Sequence, residues 1–368
     1  MVLRTGRRRA PHARPPPAEP LSAARRTLME KTEHRATALD GTRLHWTSAG
    51  AGGPAVVLCD GIGCAGYVWR ALEPLLARER RVLHWNYRAH GRSAAPSDPE
   101  RMTVDDCVSD LLAVLEAAGE ERAVLAGHSM GVQVALELQR RHPDRVAGLL
   151  LLCGAPGHLL DTFHDSSVLR YAFPWAKQLV LRYPDLARLA FRTVVPTDFA
   201  LSYAMTFEVD GARVRRADLE RYLEDLSEVD PALFVRLLAS AEDHDTRPHL
   251  PHVTAPTLVV AGERDSFTPL RLSEAIHHAI PGSELLVVPG GTHVAPLEDP
   301  ELVGERTLAF LGVHAPVRRP RRAGATAATA ATAAGAAASK PRRRAAKADG
   351  VASAPRARRP RGNGPRAR

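Results

Sequence analysis

Ala123-Val124-Leu125-Ala126-Gly127-His128-Ser129-Met130-Gly131 decides how this chain is read. The first four residues form an apolar run of the kind that makes a buried strand, and the next five set a serine between two glycines. The pattern predicts a sharp strand-to-helix turn with the serine at its apex. Side chains on either flank of so tight a turn collide, which favours glycine there. The strain lifts the serine Oγ above the sheet edge and aims the following backbone N–H at the same point. A serine hydroxyl is a poor nucleophile at neutral pH, so it needs a neighbouring base, and the base needs an orienting carboxylate.

Both partners follow in order. Residues 256–262 read as a buried parallel strand running into Glu263-Arg264-Asp265-Ser266-Phe267-Thr268-Pro269. Residues 285–288 read as another strand, opening into Pro289-Gly290-Gly291-Thr292-His293. Asp265 and His293 are therefore expected just past the C-terminal ends of strands, the edge at which open α/β sheets bind ligands.

On these residues the chain resembles the α/β-hydrolase-fold serine hydrolases that carry a cap, an esterase-, lipase- and perhydrolase-like group. The matching stretches are GHSMG at 127–131, AGERDSFTP at 261–269, PGGTHVAPLEDPE at 289–301 and NYRAHGRS at 86–93. The resemblance runs over roughly residues 35 to 312. It implies Ser129 as nucleophile, His293 as general base and then acid, and Asp265 as the carboxylate that orients the imidazole. Glu263, Asp243 and Asp161 are rival acids, the last because some members of the family use a position after the sixth strand. Two backbone N–H groups should form the oxyanion hole: that of Met130, next to the nucleophile, and that of Ile62 in the loop Asp60-Gly61-Ile62-Gly63. Asp60 stands where the family usually has His, Asn86 where Asp is frequent and Ala89 where Gly is frequent. A carboxylate at 60 turned toward the site would raise the histidine pKa and disfavour anionic substrates. The segment 86–93 reads as structural, and His128 as a packed, hydrogen-bonded neighbour of the nucleophile.

The rest of the chain fits an alternating pattern. Asp40-Gly41 between residues 34–39 and 42–47 signals a hairpin. Strands are expected at 55–59, 82–85 and 146–153, with helices at 67–79 and 104–118, the second opened by a Thr103/Asp106 capping pair and closed by Gly119. This alternation predicts an α/β fold: a mostly parallel central sheet with helices on both faces. It stops at residues 157–250, which are helical in pattern and hold eleven of the eighteen aromatics. The resemblance makes this stretch a helical cap inserted after the sixth strand. Most of its aromatics are expected to form its own core, and a few to line an apolar substrate pocket.

Length, 368 residues, allows one large domain or two smaller ones, and 45% hydrophobic content supports a packed core. No apolar run reaches the ~18 residues of a membrane span. The Arg/Pro-rich start lacks the apolar segment of a secretory signal. Cys59, Cys64, Cys107 and Cys153 form no CxxC pair and no zinc spacing; they read as buried thiols in a reducing, cytoplasmic setting. Neither a metal nor another cofactor is expected, since His249, His252, His277 and His278 lack further ligands nearby.

The net charge of +9 divides unevenly: residues 1–27 carry +6 and residues 313–368 carry +14, leaving −11 for residues 28–312. The expected organisation is a disordered basic arm (1–30), a core in two parts (31–156 and 251–313) around the cap (157–250), and a disordered Ala/Pro/Arg-rich basic tail (314–368). Met29, just before the first foldable segment, is an alternative start. The tail, from residue 313, has the composition that holds nucleic acid or another polyanion by counterion release, the alternative being an unselected extension that binds nothing. The expected function is hydrolysis of a small or medium apolar carboxylic ester, or a related acyl compound, through an acyl-serine intermediate. Perhydrolase or haloperoxidase-like chemistry and carbon–carbon bond hydrolysis use the same three residues. A tethered protein acting through its basic ends is the reading from a different class.

Overall fold

The computed structural model describes residues 30–161, 166 and 168–316, without the side chains of Asp161 and Phe207. The basic arm and nearly all of the basic tail, with its expected polyanion contacts, lie outside the described residues.

Eight strands make one sheet: β1 (Thr32–Thr37), β2 (Arg43–Ala49), β3 (Val56–Cys59), β4 (Val82–Trp85), β5 (Ala123–His128), β6 (Val146–Leu152), β7 (Thr257–Gly262) and β8 (Glu284–Val288). Their order is β1-β2-β4-β3-β5-β6-β7-β8. The β1–β2 and β2–β4 pairs are antiparallel and all others parallel. The central strands are apolar at nearly every position because the sheet is covered on both faces. Val57, Cys59, Leu125, Leu149, Leu151 and Val259 pack on one side; Val56, Leu58, Val124, Ala126, Leu150, Leu152, Leu258 and Val260 pack on the other. That division is the two-residue period of a strand.

Helices α1 (Leu72–Ala77), α2 (Val104–Ala117) and α3 (Met130–Arg141) follow β3, β4 and β5. Leu72 and Leu76 of α1 cover one face, whereas α2 and α3 cover the opposite face with Leu111, Leu115, Val134 and Leu138. The Thr103 side chain accepts from the Asp106 N–H and the Asp106 carboxylate accepts from the Thr103 N–H, so the expected capping pair is a full capping box. The helix expected at 67–79 is instead a 3₁₀ turn at Tyr67–Trp69 followed by α1. Pro74 explains the break: it has no N–H to continue a helix from 67, and is tolerated only in the first turn of a new one.

Between β6 and β7 lie α4 (Val168–Arg182), α5 (Pro184–Val194), α6 (Asp198–Phe207), α7 (Arg216–Glu228) and α8 (Pro231–Asp243). The last of these is seated on the core: Leu237 and Ala241 join the α2/α3 face, Ser240 Oγ accepts from the Val104 N–H at 3.0 Å, and Gln133 donates to the Ala241 carbonyl at 2.8 Å. The expectation for the aromatics of this insert needs correction. Tyr171, Trp175, Tyr183, Phe199 and Tyr203 are exposed, not packed into an interior, and Phe163 and the Phe207 side chain are outside the described residues. Helices α9 (Leu270–Ala279), α10 (Ala295–Glu298) and α11 (Pro300–His314) complete the fold.

Candidate active site

Ser129 lies between the last residue of β5 and the first of α3, with φ 55° and ψ −119°. A positive φ at a residue with a Cβ is costly, and it is held here by the crowding around it. A Cβ on Gly127 would come 2.3 Å from the Gly131 carbonyl oxygen, and one on Gly131 would come 2.2 Å from that of Cys59. Both glycines are thus required by the close passage of strand, turn and helix, as the sequence implied. The Ser129 N–H donates to the Leu152 carbonyl at 3.1 Å, tying the turn to β6.

Asp265 sits in the turn after β7 and is almost fully buried. Its Oδ1 accepts from the Phe267 and Thr268 N–H groups at 2.9 and 2.8 Å, and its Oδ2 from the Thr268 hydroxyl at 2.8 Å. His293 Nδ1 lies 3.0 Å from Oδ2 and 3.1 Å from Oδ1. A carboxylate only accepts, so Nδ1 carries a proton, and in the neutral ring Nε2 keeps its lone pair. Burial works against the Asp265 charge, but the His293 imidazole and the hydrogen bonds outweigh it and hold the carboxyl below its ordinary pKa. Phe267 stacks on the His293 ring at 4.8 Å. Phe267 and Thr268 were not singled out from sequence; the signal available was Asp265-Ser266-Phe267-Thr268, the acid-first spacing of a local side-chain-to-backbone turn.

His293 itself stands on the turn that follows β8. Glu298 fastens that turn, accepting from the Thr292 N–H and hydroxyl, both at 2.7 Å, and from the Asp210 N–H of the insert at 2.8 Å. His128 Nε2 donates to the His293 carbonyl at 2.8 Å. Burial, followed by the proximity of His293, pulls the His128 pKa down to about 4, so its ring is neutral and packed.

Ser129, His128, His293, Ile62 and Gly61 line one cavity of about 150 Å³. Tyr67, Phe267, Val294 and, from the insert, Ala204, Val209, Leu219 and Tyr222 complete an apolar wall, with Glu208 on it accepting from Ser266 Oγ at 3.0 Å. Among the described residues no hydrogen bond joins the Ser129 hydroxyl to His293. Met130 opens α3, where a backbone N–H has no partner within the helix, and Ile62 lines the cavity beside Gly61. The Ile62 loop is held by the Gly63 N–H donating to His90 Nε2 at 3.1 Å, while His90 Nδ1 donates to the Arg88 carbonyl at 2.9 Å. Arg88 is in turn buried against Asp110, at 2.6 and 2.7 Å. Segment 86–93 therefore supports the loop from behind.

The rival groups are elsewhere. Asp60 is fully buried and turned away from the cavity, accepting from Trp69 Nε1 at 2.8 Å and facing His84 Nε2 at 2.8 Å. Glu263 lies beyond the end of β7, exposed, and accepts from the Gly290 N–H; Asp243 is exposed at the end of α8. Asp161 falls in a 3₁₀ turn well past Leu152, the end of β6. His249 faces Gln139 and His277 faces Ser283. Cys64, buried beside the cavity, has its thiol pushed well above the ordinary pKa by burial.

Comparison with known proteins agrees with this architecture. A component of an acetoin cleaving system in Pseudomonas putida, a dihydrolipoyllysine-residue acetyltransferase, is 33% identical over 74% of this chain and 68% of its own length. A pimeloyl-[acyl-carrier protein] methyl ester esterase of Vibrio vulnificus is 25% identical over 74% of this chain and 99% of its own. The structure of a thermophilic esterase from Thermogutta terrifontis superimposes with a TM-score of 0.63 at 25% identity, over 77% of this chain and 99% of that one. The family model described as alpha/beta hydrolase fold matches residues 54–300, well over half of the chain, and the protein belongs to that family of hydrolases.

Proposed function

We propose that the protein is a serine hydrolase that cleaves small, neutral, apolar carboxylic esters through an acyl-serine intermediate. The observation that carries this reading is the buried Asp265–His293 pair at 3.0 Å, whose imidazole opens on the same cavity as the strained Ser129. Ser129 attacks the ester carbonyl and His293 Nε2 takes its proton. The N–H groups of Ile62 and Met130 hold the oxyanion, a donor of this kind being worth ~2.7–4 kcal/mol in the transition state. His293 then protonates the leaving alcohol, and water activated by the same nitrogen releases the acid. Asp265 holds the proton on Nδ1 throughout.

The cavity supports the substrate class. Its volume of about 150 Å³ is below the ~300 Å³ at which drug-sized ligands begin to fit, so short acyl groups are favoured. The wall is apolar but for the Glu208 carboxylate, which favours neutral over anionic groups. Two of the similar proteins bear esterase names, which lends the same support. The test is steady-state hydrolysis of a p-nitrophenyl ester series. The reading expects kcat/KM to be highest for acetate to butyrate esters and to fall for longer chains, with the Ser129→Ala protein inactive on all. Undiminished turnover by Ser129→Ala would overturn it.

A further inference from the structure

The helices α4 and α5 have 15 and 11 residues, yet neither buries a single described side chain. Isolated helices of this length are marginal in water and are normally stabilised by packing an apolar face. Here Phe173, Val180 and Phe191 are only half-buried toward α8, and the rest of the apolar surface is open. Tyr171, Trp175, Leu179, Leu186, Leu189 and, on α6, Phe199 are all exposed, Trp175 at 76% and Phe199 at 81%. Soluble monomers rarely leave a contiguous apolar patch of more than roughly a few hundred Å² uncovered, and larger ones mark interaction sites.

Charge indicates what covers it. Residues 28–312 carry a net −11, but α4, α5 and α6 together hold Arg170, Lys177, Arg182, Arg188 and Arg192 against Asp185 and Asp198. Arg188 is shared between Asp185 and Asp230, and Arg170 and Arg192 approach Glu242 and Glu228. Lys177 and Arg182 have no carboxylate partner among the described residues. A second copy of this chain would bring the same cations face to face, whereas a sheet of lipid phosphates would neutralise them. Exposed aromatic and leucine side chains together with cations on the same helices is the composition of helices that lie in a bilayer interface. We propose that the α4–α6 face docks on an anionic lipid surface, with Trp175 entering the acyl boundary. No helix among the described residues is long and apolar enough to span a membrane, so the contact is peripheral.

Tryptophan fluorescence tests this directly, because Trp46, Trp69 and Trp85 are buried and Trp175 alone is exposed. The full chain is mixed with vesicles of phosphatidylglycerol and phosphatidylcholine, or of phosphatidylcholine alone. The proposal expects acrylamide quenching of Trp175 to fall at least threefold with the anionic vesicles, and brominated acyl chains to quench it. The variant Leu179→Glu/Leu186→Glu keeps the parent Tm and loses the shielding. Vesicle binding that leaves Trp175 open to acrylamide would mean attachment by the basic tail alone and would overturn the proposal. So would absence of binding, or shielding without lipid in a dimer seen by sedimentation.

Discussion

At the scale of single residues, the account rests on where protons sit. His293 needs its Nδ1 protonated and its Nε2 free, and Asp265 is the only carboxylate among the described residues that touches Nδ1. Asp265→Asn can hold the opposite tautomer, so kcat is expected to fall on the order of 10⁴-fold with little change in fold; a loss under tenfold in ester hydrolysis would mean another acid does this work. His128 gives a second prediction. Its folded pKa is about 4 against ~6.5 in the unfolded chain, so the unfolded state binds the extra proton between those values. Stability from this neutral, buried ring is therefore complete above pH 6.5 and is lost as pH falls toward 4, by about 3 kcal/mol in all. His128→Gln, which keeps a donor but does not titrate, is expected to flatten that limb. Urea midpoints measured from pH 7 to pH 4 read it out, and an unchanged slope would refute the assignment. Asp265 adds its own loss further down, as pH drops below the ordinary carboxylate range.

The next scale is that of elements, where three strand ends carry the site and the loops are secured from outside it. Glu298 binds the Thr292 backbone and hydroxyl and reaches the Asp210 N–H, so one buried carboxylate fixes the His293 turn and anchors the insert. Removing it leaves several donors unpaired at ~1–3 kcal/mol each. Glu298→Ala is expected to lower Tm by several degrees and kcat more than KM, measured by calorimetry and ester kinetics; a parental kcat would show that the turn holds itself. Local pattern was enough to read the parallel strands, the Thr103/Asp106 box and the strand-end positions of Ser129, Asp265 and His293, because each depends on neighbours a few residues away. Glu298 and the Asp60 network were not readable in this way. Asp60 meets Trp69 and His84, and Glu298 meets Asp210, through folding that brings distant segments together. The aromatics of the insert were misjudged for a related reason: periodicity identifies an apolar face but not what the face is turned toward.

Across the whole molecule, a sheet covered on both faces is tied to its helices by a few buried polar contacts. The most buried is Arg88 against Asp110, with Asp40, Asp106 and the Arg101 carbonyl also facing the guanidinium. Burial alone would lower the Arg88 pKa, but hydrogen bonding to Asp110 more than offsets it and keeps the guanidinium charged. Breaking such a pair from one side strands a buried charge and typically costs ~3–5 kcal/mol. Asp110→Ala is therefore expected to lose that much by urea denaturation, a far larger effect than an exposed pair such as Arg216–Glu220 would give. A loss below 1 kcal/mol would show that the pair does not brace the Ile62 loop through His90. On the proposed reading these contacts serve one demand, that a single hydroxyl in 368 residues be nucleophilic. The direct measurement is covalent labelling of the full chain with a fluorophosphonate probe, with the adduct located by peptide mass spectrometry. The account predicts one adduct, on Ser129, and none on the Ser129→Ala protein; equal labelling of both proteins, or an adduct on another residue, would contradict it.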